Sequence, residues 1–380
     1  MKKITMLLTN AFMPDPRPHR EALSLVSAGY HVRLIAWDRG ENLSEKERVD
    51  GIEVERIRIK SRHGRGLSQL VFIIIVWLRM TISLLKENQD LIYCHDFDTL
   101  IPGFIAAALT KKKVIFDSHE VYSRMLGKNV PGFMKNVIAW LEKIFVKMAS
   151  HIIVTCEAMK LFYEKIGAKK ITVVANYKEP SFFRFSTEFL QKERERLGAS
   201  NKTIISYIAN LGPERIIEPL LDAVKDDDSL FLIVGGDGVK KRVVEKAAAI
   251  CRRIKYLGYV APDKVPLYTA IADIVYYGYD KTAGMAEFCN PNKLFEALAV
   301  GCAFLGGSFG EMGRIIREEV CGIALEDFTK DSVASALKKM KEPQTLERLK
   351  ENARRAGSEK YVWKIAEERL LSAVADTLSK

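Results

Sequence analysis

From residue 3 to residue 176 the chain alternates apolar runs of strand length with amphipathic stretches of helix length, the pattern of a doubly wound parallel sheet. The apolar runs cover residues 4–9, 32–37, 54–59, 91–94, 114–117, 152–155 and 171–174. The alternation stops between residues 179 and 202, where Pro180-Ser-Phe-Phe gives way to the charged Gln191-Lys-Glu-Arg-Glu-Arg. It then resumes with runs at 204–208, 231–234, 256–257, 274–277, 303–305 and 323–325. The reading is α/β: an N-terminal Rossmann-like domain over 1–183, a linker over 184–200 and a second Rossmann-like domain over 201–360. An amphipathic helix follows over 361–380.

Length supports the division, since 380 residues exceed what one hydrophobic core usually serves. The net charge of +11 implies anionic partners. It is dispersed, with no basic tail, so nucleic acid is not expected and phosphorylated small molecules or an anionic membrane surface are. Six cysteines without Cys-x-x-Cys spacing or a histidine cluster indicate neither a zinc site nor a disulfide framework, and fit a reducing cytoplasm. The first apolar run is too short for a signal peptide. The most apolar stretch, around Val71-Phe-Ile-Ile-Ile-Val-Trp-Leu78, is interrupted by Arg79 and is shorter than a bilayer span of about 20 residues. It predicts a sheet-packing helix. A second helix carrying Lys135, Lys143 and Lys147 beside Phe133, Trp140 and Phe145 would add cationic anchoring at the cytoplasmic membrane face if both face lipid.

In open parallel sheets ligands bind at the carboxyl ends of strands. The most informative such segment starts at Cys289-Asn-Pro-Asn-Lys and runs through Leu294, Phe295 and Glu296 to Gly301. Asn290 and Asn292 are good N-caps, Pro291 suits the first helical position and Gly301 suits the C-terminal stop. Backbone N–H groups of the first turn, the helix dipole and Lys293 then favour a phosphate or diphosphate. Glu296, one turn further in, can accept hydrogen bonds from vicinal hydroxyls such as those of a ribose. An ordinary capped helix with both charges on a solvated face is the alternative.

Other strand ends carry Asn210-Leu-Gly212-Pro-Glu-Arg215, the cluster Gly235-Gly236-Asp-Gly238, and Gly258-Tyr-Val260. Gly212 allows close backbone approach and Arg215 can grip a phosphate. Asp226-Asp-Asp228 precedes a strand and reads as a solvated turn, so no metal site is assigned. In the first half, Arg17, His19 and Arg20 follow the first strand and can meet an anion, or solvate a loop. His95-Asp96 precedes Asp98 and Thr99, either of which can cap the next helix. Asp117-Ser-His119-Glu120 puts an imidazole where it can bond a sugar hydroxyl, stabilise developing charge or simply satisfy neighbours.

Taken in order, Asp15-x-Arg17, His95-Asp-x-Asp-Thr, Asp117-Ser-His-Glu, Asn210-Leu-Gly-x-x-Arg, Val234-Gly-Gly-x-Gly, Gly258-Tyr-Val and Pro291-Asn-Lys-Leu-Phe-Glu-x-x-Ala-x-Gly resemble the family 4 glycosyltransferases of GT-B fold. The resemblance implies two facing Rossmann-like domains with a cleft, and transfer from a nucleotide-diphosphate sugar with retention of configuration. It implies no metal and no other cofactor. The donor falls to the second domain, and a glycan, lipid-linked or small-molecule acceptor to the first. By this resemblance His119, Arg215 and Lys293 are catalytic. Donor-binding residues are Asn210, Gly212, Gly236, Val260, Asn290, Asn292, Leu294 and Glu296, and the acceptor side holds Arg17, His95, Asp96 and Glu120.

The chain departs from the family pattern at Asn210, where many members have Arg, and at Phe288, where they carry a second Glu. Glu287 is adjacent but off register. These departures keep open a silent sugar-nucleotide-binding protein, and the shared architecture keeps open a nucleotide-sugar 2-epimerase. A dehydrogenase would need Gly-x-Gly-x-x-Gly after the first strand, which Thr9-Asn-Ala-Phe-Met lacks.

Overall fold

The computed structural model describes residues 1–13, 16–61, 69–126 and 130–379, so Asp15 of the first motif lies outside the described residues. The chain divides into two compact units, one of residues 1–175 with 366–380 and one of residues 176–365.

The first unit is built on an eight-stranded sheet of order β3-β4-β2-β1-β5-β6-β7-β8. Its strands are β1 (Lys3–Leu8), β2 (His31–Asp38), β3 (Lys46–Val49), β4 (Ile52–Arg58), β5 (Leu91–His95), β6 (Lys113–Ser118), β7 (His151–Val154) and β8 (Ile171–Val173). All pairings are parallel except β3 with β4. That hairpin was not expected, because Lys-Glu-Arg-Val has almost no apolar content. Its turn is Asp50-Gly51, both residues left-handed (φ 50° and 86°), the backbone that a tight two-residue hairpin turn requires.

Right-handed crossovers fix which helix covers which face. The connection from β1 to β2 runs one way along the sheet, and those from β4 to β5, β5 to β6 and β6 to β7 run the other way. Helix Pro16–Ser27 therefore lies on one face, and helices Gln69–Lys86, Leu100–Thr110 and Gly132–Met148 lie together on the opposite one. The C-terminal part of helix Trp363–Ser379 belongs to this unit, where Glu367 accepts from Ser24, the Lys113 ammonium donates to the Thr377 carbonyl at 2.8 Å, and Lys170 pairs with Asp376 at 2.6 Å.

The second unit carries an all-parallel six-stranded sheet of order β11-β10-β9-β12-β13-β14. The strands are β9 (Thr203–Ile208), β10 (Leu230–Gly235), β11 (Ile254–Tyr256), β12 (Ile274–Tyr277), β13 (Ala303–Gly307) and β14 (Gly322–Leu325). Alternate residues of β9 feed two cores, Ile205 and Tyr207 on one face, Ile204 and Ile208 on the other. Residues 184–200, expected as a linker, contain helix Thr187–Arg196 inside this unit. Ser186 Oγ caps it by accepting from Phe189 N–H at 3.2 Å, and Arg194 anchors it to Asp273.

Strand order reverses between β1 and β5 in the first sheet and between β9 and β12 in the second. Loops leaving the carboxyl ends of such a pair diverge to opposite faces and open a crevice. Both switch points carry the polar segments singled out above.

Candidate functional site

At the switch point of the second unit, the loop after β9 folds back toward the end of β12. Arg215 there bridges to Tyr279, and the Ile216 N–H donates to the Gly278 carbonyl at 3.1 Å. The Arg215 guanidinium carbon stands 4.7 Å from the Tyr277 ring centre and 4.9 Å from that of Tyr279, and it donates to the Tyr277 hydroxyl. Burial works against the charge, but the Tyr277 contact outweighs it and the pKa is raised, so the cation is held in place and permanently on.

Beside it, glycines let backbones approach closely. A Cβ on Gly236 (φ 135°) would sit 1.9 Å from the Ala209 carbonyl oxygen, and one on Gly238 (φ 145°) 2.5 Å from that of Leu211. The Gly236 N–H donates to the Gly258 carbonyl at 2.7 Å, tying the turns after β10 and β11 together. These turns enclose a largely apolar hollow of about 400 Å³ lined by Asn210, Gly236, Tyr259, Val260, Val265 and Lys293. It has the size and lining of a small-molecule site.

The third wall is helix Asn292–Val300. Pro291 occupies the N-cap and Asn292 the first helical position, one residue later than expected, and neither Asn290 nor Asn292 caps by its side chain. The reason is the Asn292 carboxamide oxygen, which accepts from the Lys178 ammonium at 3.1 Å instead. The N-cap Pro291 makes no side-chain cap hydrogen bond, which leaves first-turn amides for a ligand with the helix dipole behind them. Gly301 ends the helix in the left-handed conformation (φ 78°), as expected. Leu294 is fully buried under the helix and supports it rather than facing the hollow.

Glu296 is 8 % exposed and balanced by two lysines, Lys293 Nζ at 2.6 Å and Lys178 Nζ at 3.9 Å. Lys178 is a member that sequence reading missed. It sits in no motif, and only the fold brings it to the helix start. Phe288 is buried, while the adjacent Glu287 is exposed. No carboxylate replaces the family's second Glu at that position.

In the first unit the polar residues gather around Asp117, at the end of β6. Arg17 donates to Asp117 Oδ1 at 2.8 Å and to the Val174 carbonyl at 2.7 Å, and lies 2.9 Å from Glu21. It is 8 % exposed, so the anion-meeting role expected of it is corrected: its guanidinium ties helix Pro16–Ser27 to β6 and to the end of β8. His95 is buried as well. Its Nδ1 lies 3.0 Å from Asp117 Oδ2, and burial pushes its pKa down.

His119 sits at the open side of this cluster. Its Nε2 lies 3.1 Å from Asp117 Oδ2 and its Nδ1 3.3 Å from Asp96 Oδ2, while its backbone N–H donates to Asp96 Oδ1 at 3.1 Å. Burial disfavours the imidazolium, yet the Asp96 and Asp117 carboxylates outweigh it and raise the pKa to about 9. Asp117 shows the converse: burial favours the neutral acid, but Arg17 and His119 hold its carboxylate well below the usual range. Asp96 is in a left-handed backbone conformation rare for a side-chain-bearing residue (φ 60°, ψ 169°), and its N–H donates to the Asp117 carbonyl at 2.8 Å. Such strain, of order 1–3 kcal/mol, persists where surrounding bonds over-determine it.

Glu120 keeps an exposed side chain, and its pKa is raised by partial desolvation beside the neighbouring loop and by the Asp96 carboxylate. Asp98 does not cap the next helix. It is bonded to the Thr9 hydroxyl at 2.5 Å, and burial together with Asp96 raises it to about 6. Thr99 holds the N-cap position but donates to the His95 carbonyl at 2.7 Å. His95, Asp117 and His119 bring three ligand-type atoms within 4.8 Å of one another, a histidine cluster that linear spacing does not reveal. The bonds just described account for that proximity by protons on the imidazoles and a shared carboxylate oxygen.

Residues 16–177 match the glycosyl transferase 4-like domain and residues 190–356 the glycosyl transferases group 1 domain, together most of the chain. The chain is a group 1 glycosyltransferase. The transferase is 24 % identical over 360 residues, 90 % of its length, to an uncharacterised glycosyltransferase of Methanocaldococcus jannaschii, of which it covers 88 %. Among solved structures it superposes on sucrose-phosphate synthase of Thermosynechococcus elongatus with a TM-score of 0.82, 14 % identity and full coverage of both chains. It also matches Anabaena HepE in complex with UDP-glucose, with a TM-score of 0.74, 18 % identity, and coverage of 99 % of this chain and 100 % of the other. The transferase therefore has the GT-B fold.

Proposed function

We infer that this transferase moves a sugar from a nucleotide-diphosphate donor to a glycan, lipid-linked or small-molecule acceptor, with retention of configuration. The observation that carries this reading is the hollow of about 400 Å³ lined by Asn210, Gly236, Val260 and Lys293, with Lys293 in the first turn of a helix and Arg215, held between two tyrosines, five residues after Asn210 on the same loop. The HepE structure binds UDP-glucose, so UDP-sugars head the donors to be tried.

In this mechanism the base lies in the hollow against Val260 and the backbone near Gly236, and Glu296 accepts hydrogen bonds from the ribose hydroxyls. Lys293 and Lys178 release Glu296 in part when those hydroxyls arrive, and Lys293 turns to the diphosphate. Arg215 and the Asn292 and Lys293 amides stabilise charge growing on the departing nucleoside diphosphate. Such groups act without reorganising during the reaction, which is why a rigid, stacked Arg215 serves better than a mobile cation. No metal is called for, because these groups meet the leaving charge themselves. In the first unit, His119 is held as an imidazolium, and it is the group we assign to hydrogen-bonding a sugar hydroxyl. Retention follows if the acceptor attacks from the leaving-group side, a route that needs no protein nucleophile and fits the replacement of the second Glu by Phe288.

The test is a nucleotide-sugar panel read by thermal stabilisation and by product stereochemistry. Stabilisation by at least one nucleotide sugar, diminished in Glu296→Ala and Arg215→Ala, is expected. Undiminished stabilisation in both variants, or a product of inverted configuration, overturns the reading.

A further inference from the structure

Helix Gln69–Lys86 covers the first sheet with Val76, Met80 and Leu84, which are fully buried. Its other side carries a second apolar stripe: Val71, Ile74, Ile75, Leu78, Ile82 and Leu85, each at least 39 % exposed. Their spacing of three, four and seven residues places them in one line along the helix. Monomeric proteins seldom leave so continuous an apolar surface bare.

The stripe does not stand alone. Helix Leu100–Thr110, on the same face of the sheet, exposes Ile105 and Leu109, and its Phe104 stacks on Phe145 of helix Gly132–Met148. That last helix exposes Phe133 (71 %), Val137, Trp140 (61 %) and Met148 along its own outer side. The charges on the same three helices have one sign. Arg79 and Lys86 flank the first stripe, Lys143 and Lys147 flank the last, and Lys111 follows the middle helix. Their single carboxylate, Glu142, is buried and accepts from the backbone N–H groups of Tyr122 and Ser123.

The geometry points to this three-helix face as a docking surface for an anionic phospholipid bilayer, lying in the interface rather than crossing it. Apolar stripes edged by lysine and arginine, with exposed tryptophan and phenylalanine, are what a headgroup boundary accommodates. Crossing is excluded for these helices, since their far sides are packed on the sheet, and no helix among the described residues is long and apolar enough to span. A second copy of the chain fits poorly, because a two-fold contact sets each patch against itself and would oppose cation to cation. The inference is independent of the donor reading: docking is measured on vesicles with no nucleotide present.

The experiment is sedimentation of the full chain with vesicles of phosphatidylglycerol mixed with phosphatidylcholine, against phosphatidylcholine alone, at low and high salt. Binding to the anionic vesicles stronger by about tenfold or more, and weakened by salt, is expected. Leu78→Glu with Trp140→Glu abolishes it while leaving the unfolding temperature unchanged, and Lys143→Ala with Lys147→Ala weakens it and flattens the salt dependence. Absence of binding to anionic vesicles, or binding that both variant pairs leave intact, overturns the inference. So does a lipid-free dimer, seen by sedimentation velocity and broken by Leu78→Glu, since it assigns the face to a second copy.

Discussion

Asp96 holds His119 twice, one carboxylate oxygen accepting from the His119 backbone N–H at 3.1 Å and the other lying 3.3 Å from its imidazole Nδ1. The side chain is thus oriented and charged by the same partner, and that partner keeps a strained backbone to do so. The imidazolium at neutral pH is a consequence of this arrangement, with Asp117 on the other ring nitrogen completing it.

His119 therefore titrates near 9 in the folded chain and near 6.5 once unfolded. A pKa raised by folding contributes stability that is fully present below about 6.5 and is lost as pH rises through 9. Imidazole NMR across that range checks it. In Asp96→Asn the His119 titration moves down toward the ordinary value, and the high-pH loss of stability shrinks. An unmoved titration would mean that Asp117 alone sets the charge.

Arg215→Lys keeps the charge but not the planar group that spans Tyr277 and Tyr279. We expect kcat/KM to fall by about 10²–10³-fold in Arg215→Ala, and Arg215→Lys to recover little of it. Tyr277→Phe, which removes the hydroxyl acceptor and keeps the ring, should cost only about tenfold, in line with one hydrogen bond to a charged group. Steady-state kinetics with saturating acceptor separate the three.

Gly236→Ala introduces a methyl group 1.9 Å from a backbone oxygen at a φ of 135°, so neither the neighbour nor the residue can accommodate it. The expected loss is about 2–4 kcal/mol by urea unfolding of the variant. Gly198→Ala is the matching control: it shares a positive φ of 70° but has nothing within 4 Å, so it loses only the smaller cost of strain.

Exhaustive treatment with EDTA is expected to leave turnover unchanged, since Arg215, Lys293 and the helix amides meet the leaving charge. Activity lost on chelation and restored by a divalent cation would move attention to His95, Asp117 and His119.

Strands buried on both faces were the most legible part of the fold. The run at 274–277 coincides with β12, because a short continuous apolar run between turn residues has few other uses. The Lys46–Val49 strand escaped notice for the opposite reason: it is an edge strand, its residues face water, and only Asp50-Gly51 announces it. Within the candidate site, residues tied to a strand end or a helix start were legible by position alone. Arg17 was misread because charge suggests a surface, and nothing linear reveals that Asp117, a hundred residues on, has buried its own partner. Lys178 shows the same limit from the other side.

That buried Arg17 also links the opening behaviour of three segments. Its guanidinium joins the first helix, the middle of the sheet at Asp117 and the Val174 carbonyl just past the last strand. None of these can open without stranding a buried charge, so their amide protons should exchange with solvent through one common opening event rather than by separate local fraying.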